Sequence, residues 1–164
     1  YLETNANLVR ALESASPADD IPTFLPAPSP LAMWARRQAH ETAVHRSDAQ
    51  HATGAESRFD RVFASDGIDE MVCGFAPRAD HFPTTSPRTL VVHAEDTNDR
   101  WHLTLTASGI TTARGDGPAD TTLIGNASDL YLVLWNRADD STITVEGDRE
   151  LLNLWHGSKR VRWS

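Results

Sequence analysis

Glu41 and His45 stand four residues apart in a stretch free of Gly and Pro. On an α-helix that spacing puts both side chains on one face, one turn apart. A carboxylate oxygen and an imidazole nitrogen held this way are a two-ligand set for a divalent cation, zinc ahead of other first-row ions. His40 comes one position before Glu41, so it points roughly 100° away and cannot readily share the ion. The run is not the His-Glu-x-x-His of zinc proteases, because His40 and His45 are five apart. The competing reading is a solvated helix face, the ordinary fate of such a pair. Two ligands also fall one short of the three that a catalytic zinc takes from its protein.

An acidic ligand would call for the bidentate fork of an arginine. Arg149 follows "VEGD" at the start of a short helix, where free backbone amides also favour anions. Arg137, expected at the end of the preceding helix, is the second candidate. For both, a solvated or capping arginine is the competing reading. Trp34 lies on the Glu41 helix and would either wall a metal pocket or fill the bundle. Cys73 sits among Met71, Val72 and Phe75 and reads as inert packing. His81, His93, His102 and His156 have no ligand spacing, and Trp101, Trp135 and Trp155 fall on apolar faces.

Helical periodicity covers "LETNANLVRALESAS" and stops at Ser16-Pro17. Five prolines between residues 17 and 30 then require an extended connector. Ser29-Pro30 opens the next helix, with Ser supplying a capping oxygen and Pro at the first helical position. "PLAMWARRQAHETAVHRSDAQHA" runs on without interruption to Gly54. A third helix is expected over "ASDGIDEMVCGFA", stopped by Pro77. From residue 88 the period becomes two: "RTLVVHA", "RWHLTLT", "GITTAR" and "DTTLIGN" read as strands, the last two separated by a Gly-Asp-Gly-Pro turn. "SDLYLVLWNR" reads as a helix capped by Ser128. "STITVEG" reads as a strand, and "DRELLNLWHG" as a closing helix from Asp148 to Gly157.

The class is therefore α+β, with two helices of a partial bundle followed by a mostly antiparallel sheet with packed helices. The boundary is placed between residues 54 and 55. Two helices bury too little surface to stand alone, and the chain begins at Tyr1 rather than Met, so further N-terminal helices are expected. A net charge of −8 with basic pairs only at Arg36-Arg37 and Lys159-Arg160 argues against nucleic acid, whose phosphates need a basic stripe. No apolar run approaches a membrane span, and no signal peptide is visible. A single cysteine forbids an internal disulfide and suits a reducing, cytoplasmic compartment.

"MWARRQAHETAVHRSDA" resembles the last bundle helix of the mycothiol-dependent maleylpyruvate isomerase family. "SDGIDEMVCGF", "GNASDLYLVLWNR" and "ITVEGDRELL" resemble, more loosely, segments of its C-terminal domain. The resemblance spans essentially the whole chain, as the C-terminal two-thirds of such a protein. It implies a DinB-like metal-binding bundle followed by a sterol-carrier-like α+β domain. It also implies a divalent metal, zinc in the enzyme, and mycothiol, the small thiol of actinobacteria, acting on a small unsaturated acid. Glu41 and His45 match two of the family's metal ligands, while the third, a His on an earlier helix, has no counterpart here. The resemblance implies an isomerase or transferase as the intact protein, this piece alone being inactive, and leaves a homodimer open. The rival expectations are a non-catalytic small-ligand module with a vestigial metal helix, and a regulatory protein that has kept only the scaffold.

Overall fold

The computed structural model describes residues 2–158. The Lys159-Arg160 pair lies outside the described residues. The chain divides into two compact units between Arg46 and Ser47, inside a long helix, whereas the boundary read from the sequence falls after that helix.

The first unit holds α1 (Leu2–Ser14), the proline-rich connector and most of α2 (Pro30–Ala52). The Ser29 hydroxyl accepts from the Ala32 amide at 3.1 Å, the N-terminal cap expected of Ser before Pro. Trp34 ties the connector to α2: its indole N–H donates to the Pro22 carbonyl at 3.1 Å, and its ring meets Phe24 edge-on at 5.7 Å. The buried stripe of α2 contains Met33, Arg37, His40 and Val44. Two of those four side chains carry ionisable groups, so polarity alone misjudges which face is covered.

In the second unit α3 (Arg61–Asp69) starts three residues earlier than its apolar period suggests. Asp60 caps it, accepting from the Val62 and Phe63 amides. The expected single helix then changes character. A π-helical segment spans Glu70–Phe75 and a 3₁₀ turn spans Ala76–Arg78, with Pro77 inside the turn rather than ending the helix. The wider π turn sets the Val72 carbonyl in reach of Thr112, whose hydroxyl donates to it at 2.6 Å.

The sheet comprises β1 (Arg88–Ala94), β2 (Asp99–Thr106), β3 (Gly109–Arg114), β4 (Thr121–Gly125) and β5 (Thr144–Gly147), ordered β3-β2-β1-β4-β5. Three of the four pairings are antiparallel, but β1 and β4 run parallel. The Gly-Asp-Gly-Pro segment is therefore a crossover and not a hairpin turn. It passes over β2, where His102 Nε2 bonds the Pro118 carbonyl at 3.0 Å. Leu103, Leu90 and Thr121 form one inward row across the sheet, and Trp101, Val92 and Leu123 form the next.

Helices α3, α4 (Ala127–Leu134) and α5 (Glu150–Ser158) supply the rest of the core. Tyr131 packs edge-on against Phe59 at 5.3 Å, and Trp155 donates to the Leu134 carbonyl at 3.2 Å. Asn126, not Ser128, caps α4: its side chain accepts from the Asp129 amide, while Ser128 is helical and accepts from the Phe59 amide. Gly157 lies within α5 and does not end it. Among the described residues, no helix is long and apolar enough to cross a membrane.

Candidate metal centre and acid-binding clefts

Helical spacing brings the paired donors together as expected. Glu41 Oε1 accepts from His45 Nε2 at 2.8 Å. The other carboxylate oxygen, Oε2, accepts from Arg37 Nη2 at 2.9 Å. Exposure rises along this ladder, from 1% at Arg37 through 25% at Glu41 to 61% at His45. One end of the ladder is thus buried and the other exposed. His40 is buried on the same helix. Trp34 stands two turns before Glu41, held against the connector.

The donor chemistry fits a divalent cation. The set offers one anionic oxygen and one imidazole nitrogen, and two ligands about 2.0–2.1 Å from a shared ion lie roughly 3 Å apart. The observed 2.8 Å is close to that spacing. Among the described residues, no group of three or more His, Cys, Asp or Glu side chains could hold a metal ion. Glu41 and His45 by themselves offer two donors.

Arg137 lies three residues past α4, not at its end. Asn136 is left-handed at φ 57, and the Asn136 and Arg137 amides return to the Val133 and Leu132 carbonyls. That double bond is a Schellman ending, which fixes where the Arg137 side chain departs. Its guanidinium grips Asp48 through Nε at 2.9 Å and Nη2 at 3.3 Å, and Nη1 donates to the Trp135 carbonyl at 2.7 Å. Two clefts of about 400 and 530 Å³ share Arg137, His51 and Ala138 in their walls. Asn136 is steadied by His156 Nδ1, and His156 Nε2 also bonds Asp140 at 2.8 Å. Arg149 precedes α5, is mostly exposed and lies 3.9 Å from Asp140. Neither cleft wall includes Arg149. Hydrogen bonds from Ser141 hold the Asp139 carboxyl below its ordinary range, with the Arg149 charge assisting.

The structure adds Arg37 and Asp48 to the residues singled out from sequence. Arg37 stands four before Glu41 and Asp48 three after His45, so both spacings were open to inspection. Nothing in the sequence said that Arg37 is buried or that Asp48 meets Arg137 from 89 residues away. Cys73 is half-buried in the π-helical segment.

Comparison with known families decides the relationship. Residues 63–154 match the MDMPI C-terminal domain, and residues 1–50 match the mycothiol maleylpyruvate isomerase N-terminal domain. The chain belongs to the mycothiol maleylpyruvate isomerase family. The N-terminal match contains Glu41 and His45, and the C-terminal match contains Arg137 and Arg149. A search of curated proteins gives no match. Among solved structures, the chain is similar to the sec-alkylsulfatase Pisa1 from Pseudomonas sp. at 24% identity and TM-score 0.39. That similarity covers 43% of this chain and 12% of the sulfatase. It is also similar to UbiJ-SCP2, a ubiquinone synthesis protein, at 18% identity and TM-score 0.38, over 60% of this chain and 97% of that one.

Proposed function

We propose that the intact protein is a metal- and thiol-dependent isomerase or transferase of the maleylpyruvate isomerase type, with mycothiol as the thiol. One observation carries the reading: Glu41 and His45 converge to 2.8 Å within the segment that matches the family's N-terminal domain. Glu41 and His45 would hold the ion, zinc being the best match to the donors. Trp34 would wall the pocket. Bound metal supplies an environment in which a thiol gives up its proton at neutral pH. The sulfur then adds to the double bond of a small unsaturated acid, the former double bond rotates as a single bond, and expulsion of sulfur restores it in the opposite geometry. No protein nucleophile is needed, which leaves Cys73 outside the chemistry.

The acid needs a cationic fork, and Arg137 is the better placed of the two candidate arginines. Its backbone is fixed by the Schellman ending, it lines both clefts, and an incoming carboxylate would exchange with Asp48 for its fork. Arg149 keeps a weaker claim as an exposed cation near the start of α5. The proposal keeps residues 1–54 as the metal-bearing part and 55–164 as the α+β part. It also includes cytoplasmic placement and leaves a homodimer open. The family match favours this reading over the non-catalytic ligand module.

The test is isomerisation of maleylpyruvate by the full-length protein with mycothiol present, followed by the loss of substrate absorbance. Turnover that needs both thiol and an intact His45 is the expected result. Turnover unchanged in His45→Ala, or none with thiol and metal supplied, overturns the proposal.

A further inference from the structure

Arg37 is among the largest fully buried side chains of the protein, and it spends a charged donor on Glu41. A guanidinium is rarely buried unless a partner repays its lost hydration. Here one partner is half of the candidate metal pair. Arg37, Glu41 and His45 occupy positions i, i+4 and i+8 of α2, so the three side chains stack along one face. Glu41 Oε2 is taken by Arg37, and only Oε1 is turned toward the imidazole.

We infer that Arg37 is a positioning residue for the metal pair: it locks Glu41 so that the carboxylate offers one oxygen, Oε1, beside His45. This rests on the reading of Glu41 and His45 as metal ligands. Two effects of Arg37 oppose each other. Its charge repels an incoming cation and lowers the donor strength of Glu41. Its hydrogen bond removes the rotamer freedom of a long side chain, which an unheld Glu would lose on binding. Groups that hold metal ligands in place typically account for about 10–100-fold in metal affinity. The inference is that positioning outweighs repulsion.

The experiment is a zinc titration of the full chain by competition with a chromophoric chelator, run on wild type, Glu41→Ala, Arg37→Met and Arg37→Gln. Urea midpoints are taken on the same samples. Arg37→Met removes both the charge and the hydrogen bond, and zinc affinity falls about 10–100-fold. Arg37→Gln keeps a donor without the charge and recovers most of that loss. Removing one partner of a buried ion pair can destabilise the fold strongly, so Arg37→Gln, which keeps a donor toward Glu41, carries the test if Arg37→Met does not fold. If Arg37→Met binds zinc as tightly as wild type or more tightly, while Glu41→Ala binds weakly, the positioning role is overturned and the ligand pair stands. If Glu41→Ala matches wild type, the ligand pair itself fails, and the inference with it. A urea midpoint that falls with zinc affinity unchanged assigns Arg37 to folding alone and also overturns it.

Discussion

Glu41 is engaged on both oxygens, and each engagement makes a different prediction. Its contact with His45 is largely exposed, so breaking it costs the fold little, about 0–1 kcal/mol. His45→Ala is therefore expected to keep the wild-type urea midpoint to within that range while losing metal. At the other candidate residue, Arg137→Gln removes a charged fork from the cleft walls. The expected result is a KM for the acid raised about 10–100-fold, with kcat much less affected. Asp48→Asn tests the same fork from its partner side, and its stability cost is about 0–1 kcal/mol because both groups are partly exposed. An unchanged KM in Arg137→Gln would remove that residue from substrate binding.

Element boundaries were most legible where backbone chemistry and periodicity agreed. Helix α2 runs from Pro30 to Ala52 as read, because a Ser-Pro start and an uninterrupted run leave no alternative. Strand β1 coincides with "RTLVVHA" for a similar reason. The π-helical turn at Glu70–Phe75 was not legible, since the Thr112 contact that favours it comes from 40 residues away. The sequence points to Ser128 as the cap of α4 and the structure uses Asn126, both being good capping types two residues apart. The difference is measurable: Asn126→Ala should destabilise the protein by about 1 kcal/mol in urea denaturation. A sharper test lies at the end of β5. Gly147 has φ 88, and a Cβ there would come within 2.1 Å of the Asp120 carbonyl oxygen. Gly147→Ala must shift the β4–β5 backbone, and a loss above about 2 kcal/mol is expected.

Across the whole molecule, sheet order was the least legible feature. Four strands in a row suggested successive hairpins, yet β4 crosses the sheet to lie parallel to β1. The join is secured by side chains that no local pattern reveals. Arg88 reaches Asp148 at 2.6 Å and Asp120 at 3.4 Å, and Asp120 accepts from the Thr89 amide at 2.7 Å. Hydrogen bonds from Thr89, then the Arg88 charge, hold the Asp120 carboxyl below its ordinary range. The bond from Arg88 does the same for Asp148 and raises the Arg88 guanidinium in turn. Both carboxyls therefore bind protons more weakly folded than unfolded. Their stabilisation is fully present above the unfolded value near 3.8 and is lost as pH falls through the lowered folded values. Urea midpoints measured from pH 6 downward should fall on acidification, and less steeply in Arg88→Met. The candidate metal pair was legible as a spacing, and among the described residues no group of three donors surrounds it. The most direct test is accordingly the metal content of the purified full-length protein by elemental analysis. Close to one divalent ion per chain in wild type, and almost none in Glu41→Ala or His45→Ala, is the predicted result. Equal metal in all three proteins, or none in the wild type after supply of zinc, would contradict it.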